Sequence, residues 1–80
     1  MRTVLRALGP HDGARALVLA DFRARGGSPD TWHLRSTREA MVEALSRAED
    51  ALEVESRGRM TAARVDLRGI RRRVERELWS

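Results

Sequence analysis

Ser28, Asp30 and His33 bring the residue types of a nucleophile, an orienting carboxylate and a base into one short stretch. A catalytic relay needs the imidazole between the other two groups, within hydrogen-bond reach of both, and so short a segment cannot lay them out in one line. Ser28-Pro29-Asp30 reads instead as a helix start, with Ser28 as N-cap and Pro29 at the first helical position. The one other imidazole is His11, and the chain has no cysteine, lysine or tyrosine to serve as nucleophile or acid. The histidines and carboxylates lack metal-ligand spacing, Gly26-Gly27 is too short for a phosphate loop, and neither a dinucleotide nor a Walker pattern occurs. The expectation is a non-enzymatic chain with no catalytic residue, metal, cofactor or small-molecule substrate.

Binding is the remaining chemistry. Arg64, Arg68, Arg71 and Arg72 follow one flank of a C-terminal helix, with Arg76 and Arg73 further round. Such a ridge would track a phosphate backbone, which makes DNA or RNA the alternative partner. Against that reading, Glu75 sits within the flank, and Glu49, Glu53 and Glu55 on the preceding helix are available to pair with it. A helix-turn-helix through Gly26-Gly27 fits poorly: Phe22 stands where the motif wants a small residue, and its second helix would have only about seven residues. For contact with another protein chain the candidates are Trp79, Val65, Leu78 and Trp32. Trp79 projects away from the apolar seam and marks, with Val65, an apolar spot on a polar helix back. Large aromatic side chains dominate interfaces. Trp32 has the simpler role of filling the gap between the N-terminal helices and the C-terminal half.

The elements that would carry these residues are helical. Val4, Leu5 and Leu8 suggest a short helix before the Gly9-Pro10-His11-Asp12-Gly13 break. Asp12 would cap a second helix from about 14 to 25, closed by Gly26-Gly27, with Ala14, Leu17, Val18 and Phe22 on a broad face. Leu19 and Ala20 add apolar residues opposite, so burial on more than one side is expected. Ser36-Thr37-Arg38-Glu39 has the capping-box pattern for a helix from 37 to about 56. Its stripe is Met41, Ala44, Leu45, Ala48, Ala51 and Leu52, and Glu43 and Arg47 would form an i,i+4 pair outside. Met60, Ala63, Leu67, Ile70, Val74 and Leu78 give the last helix a nearly heptad seam, with Thr61 as its cap.

Gly58 would end the preceding helix, making residues 37–80 a hairpin, yet a stutter at Ser56 would also keep one continuous helix in phase. Charge favours the hairpin. Residues 37–59 carry six acids and four arginines, whereas 60–80 carry six arginines and three acids. An acidic helix folded back on a basic one is electrostatically consistent.

Composition sets the frame. The 80 residues are 41 % hydrophobic and 35 % charged, with a net charge of +4, and all sixteen basic residues are arginine. Lysine, asparagine, glutamine and tyrosine are absent while alanine occurs eleven times, the mark of a GC-rich genome, so arginine's use for phosphate recognition is weak evidence here. No cysteine means no disulfide framework. The longest apolar run, 16–20, is far short of the roughly 18 residues that span a bilayer, and no secretory signal pattern is present, so no membrane partner is expected. Residues 1–80 read as one small all-α domain: a C-terminal antiparallel hairpin, about 37–56 and 60–79, on two or three short N-terminal helices in 1–36. So small a chain buries little core, which favours completion by a second chain. The expectation is an interaction or assembly protein, as in a phage particle, acting in a bacterial cytoplasm or a virion.

Overall fold

The computed structural model describes residues 1–78. It is all helical there: α1 (Arg2–Leu8), α2 (Asp12–Ala24), a 3-10 turn (Pro29–Thr31), α3 (Arg35–Glu55) and α4 (Ala62–Leu78). The C-terminal half is the hairpin, α3 against α4; α2 packs on α3, and α1 bridges α4 and α2. No helix among the described residues is long and apolar enough to cross a membrane.

All four helices contribute to a single core. Val4 and Leu8 of α1 meet Ala14, Val18 and Phe22 of α2, Met41, Ala44, Leu45 and Ala48 of α3, and Leu67, Ile70 and Val74 of α4. Each set has the three-and-four spacing of one helix face. The expectation that α2 is buried on more than one side is corrected: only the Ala14-Val18-Phe22 line is fully covered, Leu19 is partly so, Ala20 is exposed and Leu17 is 47 % exposed. Four helices leave no further layer to cover α2's outer side. Ala51 is likewise exposed, and Met60 lies in the loop rather than in the seam.

The helix ends show which local signals prevailed. At the end of α2, Gly26 (φ +81°) takes the left-handed conformation open to glycine, and the amides of Gly26 and Gly27 donate to the carbonyls of Arg23 and Phe22, each at 2.9 Å. The hairpin turn uses the same device with one change. Arg57 (φ +55°) occupies the left-handed position expected of Gly58, which follows at φ +81° and donates its amide to the Glu53 carbonyl at 2.9 Å. Ser56 is buried at this turn, its hydroxyl donating to the Arg59 carbonyl at 2.9 Å, so a continuous helix through Ser56 does not form. Thr61 caps α4 as expected, accepting from the Arg64 amide at 3.3 Å.

Two caps differ from expectation. Asp12 is the first residue of α2 and not its cap; His11 occupies that position without a side-chain capping bond. The carboxylate still sits in the first turn, where the helix dipole favours negative charge. The capping box at Ser36 does not form, because α3 begins at Arg35 with Leu34 at the cap position. Thr37 is drawn inward to share a 2.7 Å hydrogen bond with Thr31, and Arg38 donates to the carbonyls of Trp32 and His33, each at 2.9 Å. These contacts fix the 3-10 turn to the start of α3, and Glu39 pairs with Arg35 at 3.0 Å instead of reaching back to a cap.

Gly69 lies within α4 on its exposed side, and a Cβ added there would meet nothing within 4 Å. A glycine inside a helix costs about 0.5–1 kcal/mol relative to alanine. Gly69→Ala is therefore expected to raise unfolding free energy by about that amount. Urea denaturation followed by circular dichroism measures it; a destabilised variant would show that Gly69 makes a close packing contact after all.

Candidate interaction surfaces

The arginine flank of α4 faces α3. Arg64, Arg68, Arg71 and Arg72 share a groove of about 320 Å³ with Ser46, Glu49, Asp50 and Glu53. Arg71 is the hub. Its Nε donates to Glu49 Oε2, and its Nη1 donates to Glu75 Oε1 at 2.8 Å. These hydrogen bonds, Glu49 first and Glu75 second, hold the guanidinium above its ordinary pKa against the opposing effect of partial burial. Arg68 lies 3.8 Å from Glu49, and Arg64 donates to the backbone carbonyl of Arg59 at 2.6 Å.

The hairpin's charge complementarity thus reduces to one acid. Glu49 bridges the helices, whereas Glu53 and Glu55, expected to join it, make no ion pair among the described residues, and neither do Glu43 and Arg47. The i,i+4 pairs that do form are Asp21 with Arg25, Arg35 with Glu39 and Arg71 with Glu75. Three carboxylates line the groove, so its arginines do not present an unscreened positive ridge. An anion entering it would meet Asp50 and Glu53.

Arg76 and Arg73 lie outside that groove, and Arg72 is at its edge. All three are exposed and form no ion pair among the described residues. α1, which packs on α4, carries Arg2 and Arg6, two exposed cations that the ridge pattern does not include. The signal for these was in the sequence, since α1 contains two arginines and no acid. Only the antiparallel packing of α1 on α4 makes that signal spatial.

The apolar candidates separate into two groups. Trp32 is partly buried against the core, in the gap-filling role, and Leu78 is half-buried in an open depression of about 470 Å³ with Arg25, Arg35, Glu39, Val42 and Glu43. Trp79 lies outside the described residues. Val65 is 53 % exposed, and the loop end of the hairpin adds Val54 at 80 % and Met60 at 51 %. Val54 and Met60 were missed as contact residues. Val54 falls two positions past Leu52, off the stripe, and its phase alone marks it as outward facing. Beside them Leu52, Ser56, Thr61 and Ala63 line a cleft of about 320 Å³.

The residues with catalytic potential are placed structurally. Ser28 Oγ accepts from the Asp30 amide at 3.3 Å, capping the 3-10 turn, and His33 is exposed. His11 Nε2 lies 2.6 Å from Asp66 Oδ2, a tie between the start of α2 and α4. Among the described residues no group of three or more His, Asp or Glu is arranged to hold a metal ion. Comparison with protein-family models, curated proteins and solved structures finds no significant match.

Proposed function

We propose that this chain is a non-catalytic interaction module that docks on another protein chain through the loop end of its hairpin. The observation that carries the reading is the exposure of Val54, in the last turn of α3, with Met60 half exposed in the loop that follows and Val65 half exposed in the first turn of α4. Scattered surface hydrophobes are ordinary, but Val54 and Met60 flank one turn beside the Leu52–Ala63 cleft, and Val65 adds apolar surface in the first turn of α4, in the groove it shares with Ala7 and Ile70. Burying what remains exposed of the three would contribute on the order of 3–5 kcal/mol, no more than the cost of association, so the partner must add contacts of its own. The small core supports the same reading, because a chain of this length gains much from a second surface.

Native mass measurement of the protein drawn from its own cell tests it. The wild type is expected in a particle heavier than its own 9.1 kDa. The double variant Val54→Asp with Val65→Asp is expected at 9.1 kDa, with an unchanged circular-dichroism spectrum. A free wild-type chain, or a complex indifferent to both substitutions, would overturn the proposal.

A further inference from the structure

α1 and α4 enclose an open groove of about 420 Å³, lined by Ala7, Val65, Asp66, Gly69, Ile70 and Arg73. All but Ala7 come from α4, and their spacing of three and four residues keeps them on one side of that helix. Ile70 is 7 % exposed and Ala7 is partly buried, so these two form the floor. Val65, Asp66, Gly69 and Arg73 are exposed. Gly69, in the middle, is bare, since a Cβ there would meet nothing within 4 Å. A helical glycine gives up stability that alanine would supply, and what it allows in return is the close approach of another backbone.

This side of α4 also carries both signs of charge. Asp66 is bound to His11, yet its side chain stays 51 % exposed, and Arg73 makes no ion pair among the described residues. Asp66 stands three residues before Gly69 and Arg73 four after it. That separation, about 10.5 Å along the helix, holds the two charges apart within one chain.

From this arrangement we infer that the groove takes the α4 helix of a second copy of this chain, antiparallel and crossing at Gly69. With the two-fold axis at Gly69, a residue some places after it faces the residue as many places before it on the other copy. Arg73 then comes opposite Val65, with Asp66 one residue away, about 1.5 Å of rise. The arginine stem covers the exposed valine, the guanidinium reaches the carboxylate, and symmetry makes both contacts twice. A parallel pair would set Arg73 against Arg73 and Asp66 against Asp66, so charge selects the antiparallel one. With no side chain at the crossing, the helix axes can close to the short end of the usual range of roughly 8–10 Å. An unrelated partner would need an acid and a base at this same spacing, whereas a second copy carries them already. The surface is the side of α4 rather than the loop end, and of the residues proposed for docking above only Val65 is shared.

The test is sedimentation equilibrium of the purified full chain from about 1 µM to about 1 mM, the window of weak to moderate association. The mass is expected to rise from 9.1 kDa to twice that value. Arg73→Glu sets a carboxylate against Asp66 twice and is expected to raise the dissociation constant about tenfold or more. Adding Asp66→Arg to that variant restores opposite charges in exchanged places and should recover most of the loss. Arg47→Glu, the same change of charge on the α2 side of α3, should leave the constant near the wild-type value. Gly69→Ala puts a methyl at the crossing and is expected to weaken association about fivefold or more, although the dilute single chain gains stability. Circular dichroism confirms that each variant is folded. A chain that stays at 9.1 kDa throughout would overturn the inference and leave the loop-end docking standing, because that docking is read from the complex formed in the cell. Equal losses for Arg73→Glu and Arg47→Glu, no recovery on adding Asp66→Arg, or undiminished association of Gly69→Ala would each overturn it as well.

Discussion

Phe22→Ala is expected to lose about 3–5 kcal/mol of unfolding free energy, the range for removing a fully enclosed aromatic side chain. The ring is 1 % exposed and is the largest of the fully buried side chains, set at the C-terminal end of the α2 stripe. A domain of 80 residues has a total stability on the order of 4–12 kcal/mol, so the loss takes a large part of it. Urea unfolding followed by circular dichroism measures the effect. The midpoint should fall sharply with an unchanged slope, or the variant should be unfolded before denaturant is added. A loss under about 1 kcal/mol would show that the ring is not held in a closed core.

Gly27→Ala is expected to cost about 1–3 kcal/mol for a reason the glycine itself does not reveal. A Cβ built at Gly27 would lie 2.3–2.6 Å from three atoms of the Phe22 ring. Such a contact requires movement, and the ring is enclosed on its other sides, so either the ring leaves its place or the end of α2 unwinds. Gly26, one residue earlier, is glycine for its backbone, at φ +81° in open space. The two mechanisms separate in a double-mutant cycle. In the Phe22→Ala background the vacated ring leaves room for the new methyl, and Gly27→Ala should then be nearly neutral, a coupling of about 1–3 kcal/mol. If Gly27→Ala costs the same in both backgrounds, the ring is not the obstacle.

The Phe22–Gly27 contact illustrates how far local patterns reach. Gly26-Gly27 was legible as a helix end, because a left-handed residue after a periodic apolar run is a local requirement. That Gly27 must stay small depends on where a ring five residues earlier is held when α2 packs on α3. The capping boundaries failed for a related reason. Ser36-Thr37-Arg38-Glu39 satisfies the capping-box pattern, yet Thr37 and Arg38 are engaged by the 3-10 turn and α3 starts earlier. A cap is worth about 1 kcal/mol, and several tertiary hydrogen bonds outweigh it.

The surfaces were legible to different depths. The outward phase of Val65 followed from the α4 heptad, and the structure leaves it half exposed. The Arg64–Arg68–Arg71–Arg72 flank was legible as a row of charge, but a row does not state what it faces. Packing places it against Glu49, Asp50 and Glu53, while Arg73 and Arg76 lie outside that groove, exposed and without an ion pair among the described residues. The partnership between α1 and α4 joins segments some 70 residues apart, and no local pattern encodes it.

By itself, then, the sequence determined the helices and the hairpin. Apolar periodicity, a glycine-containing turn and the opposite charge of two consecutive segments are local or nearest-neighbour properties, and they hold whichever way the helices are later arranged. Only the tertiary structure decided which arginines remain free, which apolar residues stay wet and which glycine has a ring against it. Those are outcomes of long-range packing, in which each side chain's neighbours come from a different helix and a single carboxylate such as Glu49 can neutralise one arginine and leave the next exposed.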